Sequence, residues 1–143
     1  MEARDFPERR RIAIPADIEH LAKVAIDASL AVHRELGPGL LEGVYEACLA
    51  QELRLRGVTF RRQHPVPLEY RGIQIEAGFR ADFLLEGRLL LELKATDEIH
   101  PIHRAQVITY LKLLRLPLGL LLNFNRPLLK DGMERILNLS WVQ

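Results

Sequence analysis

The chain has 143 residues, enough for one domain with a substantial core, and its 48% hydrophobic and 27% charged composition is that of a globular protein. A formal net charge of +1 excludes a globally basic nucleic-acid binder, so any such function must rest on local residues. No apolar run approaches the roughly 20 residues that cross a bilayer, and the single cysteine, Cys48, excludes an intrachain disulfide.

Residues 1–16 are mixed in charge and carry Pro7 and Pro15. They read as a flexible leader whose one feature, Arg9, Arg10 and Arg11, is either a solvated tail or an arm that touches phosphate. They hold no apolar core of signal-peptide type, so a cytoplasmic protein is expected. Residues 17–143 read as one domain. Ile18, Leu21, Ala25, Ala28 and Val32 recur at spacings of three and four and predict a helix to Leu36, stopped by the Gly-Pro-Gly at 37–39. A second helix is expected from about Leu40 to Arg56, with Val44, Tyr45, Cys48, Leu49 and Leu53 as its apolar stripe and Gly57 past its end.

The period then changes. Residues 58–70 are extended, and Pro65 and Pro67 restrict them to an edge or irregular strand. Gly72 marks a tight connection to a short strand. A hairpin follows over 79–95, then a helix opened by Pro101, with Ile102, Ala105, Ile108 and Leu111 as its expected buried stripe. The run Leu-Gly-Leu-Leu-Leu-Asn-Phe at 118–124 predicts a strand buried on both faces, and the tail is open between a short strand and a helix. The order α-α-β-β-β-β-α-β predicts an α/β (α+β) domain, with helices packed against a central mixed sheet.

The hairpin holds the chemistry. Asp82, Glu92 and Lys94 lie inside strands rich in Leu, and buried charge is costly unless paired or bound to metal. A two-residue loop at Glu86–Gly87 would pair Leu85 with Arg88, set Asp82 opposite Leu91 and mix charged with apolar side chains. A three-residue loop ending in Gly87 would pair Leu84 with Arg88. It would turn Phe79, Ala81, Phe83, Leu85, Leu89, Leu91 and Leu93 to one face and Asp82, Glu92 and Lys94 to the other. The hydrophobic pattern prefers the second register. Asp82 then lies within a residue or two of the level of Glu92. Two such carboxylates repel unless a cation lies between them, and oxygen ligands select Mg²⁺, with Mn²⁺ as its substitute. A buried Asp–Lys–Glu ion-pair cluster or a solvated sheet face remains the competing reading.

Asp82 followed by Glu92-Leu93-Lys94 resembles the core of the PD-(D/E)XK nuclease superfamily. Gly39, Glu42 and Tyr45 fit the GxxExxY signature of a family of small proteins within it. The segments around Leu49–Gly57, His103–Leu111 and Gly119–Phe124 are similar as well, so the likeness runs from about Ile18 to Asn138. The resemblance implies a restriction-endonuclease-like core and metal-dependent hydrolysis of phosphodiester bonds in nucleic acid, with DNA preferred over RNA. A non-cleaving nucleic-acid-binding or protein-interaction module on the same fold is the alternative. Carried over residue by residue, Asp82, Glu92 and the backbone carbonyl of Leu93 become metal ligands. Lys94 becomes the group that positions or deprotonates the attacking water, and Glu42 a helical addition to the site.

Gln106 and Tyr110 are four apart, with His103 three before Gln106, so one helix face can look into that site. Gln106 is read as catalytic. Tyr110, Arg61 and Arg62 are read as contacts to nucleic acid, the last two within a basic cluster with Arg54 and Arg56. Glu46 reads as exposed surface. His100 and His103 have no partners that would make a zinc site. The size is compatible with a homodimer.

Overall fold

The computed structural model describes residues 12–143, so the arginine run at 9–11 lies outside the described residues. Helix α1 (Ala16–Leu36) and helix α2 (Glu42–Leu55) come first, with strand β1 (Phe60–Pro65) after them. A small hairpin, β2 (Leu68–Tyr70) and β3 (Ile73–Ile75), precedes β4 (Arg80–Leu85) and β5 (Leu89–Lys94). Helix α3 (Pro101–Leu114), strand β6 (Leu118–Asn123), a 3-10 turn at Leu129–Gly132 and strand β7 (Met133–Leu137) complete the order. The expected extended segment after α2 is thus two strands, because Pro65 and Pro67 flank a break at Val66. The open question of the tail resolves as a strand.

The main sheet has five strands in the order β1-β4-β5-β6-β7, with β5 and β6 parallel and every other pair antiparallel. Only the parallel pair needs a crossover, and α3 provides it. Helices α1 and α2 cover one face, where Phe83, Leu85, Leu91, Leu93, Leu120 and Leu122 meet Leu21, Ala25, Leu49 and Leu53. Helix α3 covers the other, through Val107, Tyr110 and Leu111 on Leu90 and Leu121. All six residues of β6 are buried, as a strand covered on both faces must be. Gly119 makes the close seat for α3, since a Cβ there would stand 3.0 Å from Val107 Cγ1.

Two helical stripes differ from expectation. In α3, Ile102 and Ala105 are exposed, and the buried line is Val107, Tyr110 and Leu111. The first turns of α3 line an open cleft with Lys94 and Phe79, and its buried residues begin only at Val107. In α2, Val44 is exposed and Tyr45, Leu49, Ala50 and Leu53 are buried, a stripe rotated by about one residue.

The β4–β5 turn keeps the predicted parity but not the predicted pair. Leu85, not Leu84, opposes the first residue of the returning strand, which is Leu89, not Arg88. Glu86 takes a left-handed φ of 50° beside Gly87 at 66°, and the Arg88 N–H bonds the Leu85 carbonyl at 2.8 Å. Arg88 becomes the extra residue, its guanidinium 3.1 Å from Asp17 at the start of α1. A second departure lies further along β4. Phe83 and Leu85 pack toward α1 and α2, but Phe79 and Ala81 pack toward α3. The strand turns over between them, at Asp82.

Candidate functional site

The reason for that inversion is local. Strands β1 and β4 pair regularly from Phe60↔Leu85 to Arg62↔Phe83 and again at His64↔Ala81, and the rung between, Gln63 with Asp82, is missing. Gln63 holds a left-handed φ of 48°. On the other side of β4 the regular ladder to β5 ends at Phe83↔Leu91, one residue before Asp82 and Glu92 come level. Side chains take over the freed backbone groups. The Asp82 N–H donates to Glu92 Oε1 at 3.0 Å, and the Leu93 N–H donates to Asp82 Oδ2 at 2.8 Å. The two carboxylates are therefore interlocked across a parted sheet.

Electrostatics at this gap are unfavourable to two anions. Burial, reinforced by the charge of Asp82, pushes the Glu92 carboxyl up to about 8, while the Asp82 backbone N–H and Lys94 pull the other way. Glu42, the first residue of α2, belongs to the same field. Desolvation and then the Asp82 charge raise its carboxyl above the ordinary range, Glu46 adds to the rise, and Lys94 opposes it. Glu42 is set there by the loop before it. Gly39 adopts φ 98° and donates its N–H to Asn125 Oδ1 at 3.1 Å. The Tyr45 hydroxyl donates to the Gly37 carbonyl at 2.6 Å and accepts the Leu40 N–H at 3.1 Å, and its ring stacks on Phe124. Gly39 and Tyr45 thus fix the loop that leads into α2 at Glu42.

On the α3 side a cleft of about 490 Å³ is lined by Lys94, His103, Gln106, Tyr110, Phe79 and Ile102. Gln106 Nε2 donates to the Tyr110 hydroxyl at 3.1 Å. Tyr110, expected as a contact to nucleic acid, is buried to 3% exposure and lines this cleft. Burial, with the charge of Glu92 next, raises that hydroxyl's pKa. His103 is held below the usual imidazole range by desolvation and then by Lys94, and its Nδ1 accepts the His100 N–H at 3.2 Å, capping α3.

The basic cluster divides. Arg54 lies over the Phe60 ring at 5.4 Å and Arg56 pairs with Glu52. Arg62 stands 3.8 Å from Glu46, on the α2 side of the sheet. Arg61 is exposed beside a groove lined by Thr59, Leu84, Glu86 and Gly87, toward the hairpin turn and away from the carboxylates. Glu46 is not the exposed residue expected: its side chain is 16% accessible and its Oε1 accepts from Gln63 Nε2 at 2.8 Å. The same Nε2 donates to Asp82 Oδ1 at 3.1 Å. Gln63 is the residue that sequence reasoning missed. Its one legible neighbour was Glu46, one helical turn from Glu42.

Among the described residues no group of three or more His, Cys, Asp or Glu side chains stands ready to enclose a metal ion. No described helix is long and apolar enough to cross a membrane. The sequence model of the PD-(D/E)XK nuclease superfamily matches residues 19–136, most of the chain. The chain belongs to the PD-(D/E)XK nuclease superfamily. Its mixed sheet flanked by helices is consistent with the restriction-endonuclease-like fold of that superfamily, whose nucleases generally use divalent metals and act on nucleic acid. No curated protein and no solved structure matches the chain. In this PD-(D/E)XK protein, Asp82 lies on β4 and Glu92 and Lys94 on β5, just past the last regular rung between those strands, Phe83↔Leu91.

Proposed function

We propose that the protein is a metal-dependent nuclease of the GxxExxY group, cleaving phosphodiester bonds of DNA. The observation that carries the reading is the interlocked pair Asp82 and Glu92, with Glu92 raised to about 8. A buried carboxylate in that state needs a proton or a cation, and Lys94 is too small an offset to remove the need. The donor set suits Mg²⁺. The Leu93 N–H points across to Asp82, and the N–H and C=O of one strand residue leave the same edge, so the Leu93 carbonyl faces the same gap. Asp82, Glu92 and that carbonyl would hold the ion on one side and leave its remaining positions to water and phosphate, the usual manner of Mg²⁺. Mn²⁺ would substitute.

The bound ion supplies Lewis-acid polarisation of the scissile phosphate and of the attacking water. The chain's own residues do the rest. Lys94 lies beside the carboxylates on β5 and orients the water or takes its proton, and its charge offsets that of the phosphoryl group. Glu42, in the first turn of α2 and within the field of Asp82 and Lys94, would help to hold the water. Gln106 closes the α3 wall and fixes the Tyr110 hydroxyl. Arg61 and Arg62 on β1 give the sugar-phosphate backbone a positive edge to follow.

Calorimetric titration of Mn²⁺ into the parent and the Asp82→Ala variant, alone and with a DNA duplex, tests the reading. Saturable binding in the parent and none in the variant is expected, followed by Mg²⁺-dependent nicking that Asp82→Ala abolishes. Silence from the parent in both conditions would end the metal-dependent reading.

A further inference from the structure

We propose that Gln63 is a positioning residue of this site, holding the Asp82 carboxylate in the plane that a cation needs; the inference rests on the nuclease reading above. Three observations converge on it. Gln63 is the one residue of β1 in the left-handed region, φ 48°, where a side chain with a Cβ is strained by about 1–3 kcal/mol. Strain in a strand persists only when something compels it. Next, its strained rung is the one missing from the β1–β4 ladder, directly level with Asp82. Finally, its exposed amide spans two acids, Glu46 Oε1 at 2.8 Å and Asp82 Oδ1 at 3.1 Å, through the same nitrogen.

An amide suits this place better than a cation. It satisfies Asp82 Oδ1 without neutralising it, so the carboxylate keeps its charge for the metal. Lysine or arginine there would compete with the ion. With Oδ2 already fixed by the Leu93 N–H, the second bond at Oδ1 removes the remaining freedom of the carboxylate plane. Glu46 anchors the other end on α2, one turn beyond Glu42, so the brace ties the strand ligand to that helix. The distortion also explains the inversion of β4, which brings Ala81 and Phe79 to the α3 side and leaves Asp82 at the opening.

Mn²⁺ affinity and thermal stability measured together test this. Gln63→Gly removes the brace and relieves the strained φ, and Gln63→Asn keeps an amide that tolerates that φ but falls one methylene short. Removing an outer partner of a metal ligand weakens binding by about 10- to 100-fold. Both variants are expected to show that loss, with the melting temperature of Gln63→Gly equal to or above the parent's. Adding Glu46→Ala to Gln63→Gly should cost little more affinity, because the two residues act as one brace. Parent affinity in both variants would overturn the positioning role and leave the nuclease reading standing. So would an affinity loss that appears only together with a lowered melting temperature. A parent protein that binds no Mn²⁺, with or without DNA, would overturn both.

Discussion

Glu92 accepts the backbone N–H of Asp82, and Asp82 accepts the N–H of the residue after Glu92, so each carboxylate is fastened to the other's strand. This reciprocal bond holds two acids at one level of a sheet without a salt bridge between them. Burial of Glu92, which outweighs the pull of that bond, sets the sign of the pH response.

The Glu92 carboxyl sits at about 8 in the folded chain, against 4.5 when free. The native state therefore retains a proton that the unfolded chain gives up. Its contribution is full below about pH 4.5 and disappears as pH rises through about 8, a change of a few kcal/mol at 1.36 kcal/mol per unit. Stripped of divalent ions, the protein should lose stability from pH 5 to pH 8. Glu92→Gln should flatten that slope, and saturating Mn²⁺ should reverse part of it. Denaturant unfolding at several pH values reads all three.

Lys94 lies beside the carboxylates but would ligate nothing. Lys94→Met should leave Mn²⁺ affinity within several-fold of the parent and lower kcat on DNA by about 100-fold or more, with little change in KM. A loss confined to KM would assign Lys94 to binding instead of to the chemical step.

Tyr45→Phe removes one hydroxyl and leaves two backbone groups, the Gly37 carbonyl and the Leu40 N–H, without their partner. The expected cost is about 1–3 kcal/mol by denaturant unfolding. Because that hydroxyl sets the loop before Glu42, activity measured well below the melting temperature should fall as well. Unaltered activity would separate the loop from the site.

Arg61→Ala should weaken binding of an uncleavable duplex equally across sequences and reduce the slope of log K against log salt by about one. No change in slope would place the nucleic acid on another face.

The residues that were legible in the sequence are those whose information is periodic. Parity placed Asp82 and Glu92 together because a core face made of Leu85, Leu89, Leu91 and Leu93 tolerates no one-residue slip. The exact pair was not legible, since it depends on Glu86 adopting a conformation that sequence reasoning reserves for glycine. Gln63 was hidden for the same reason. An exposed glutamine in an edge strand carries no pattern, and its role arises from one backbone angle. The stripe of α3 was misplaced because periodicity shows an apolar face but not where a helix first meets its sheet, and Ile102 and Ala105 line an open cleft instead.

The β2–β3 hairpin stands apart from the main sheet, two strands of three residues each, joined through Arg71 and Gly72 at φ 46° and 86°. So short a ribbon has little independent stability, and every residue from 69 to 78 is exposed. Among the described residues, trypsin should therefore cut first after Arg71. The β1–β4 ladder would keep the two pieces together, with Glu42, Glu46 and Gln63 on one and Asp82, Glu92 and Lys94 on the other. The site would then be reconstituted from two fragments, each inert alone, and the chain could be expressed as separate halves whose association switches the chemistry on.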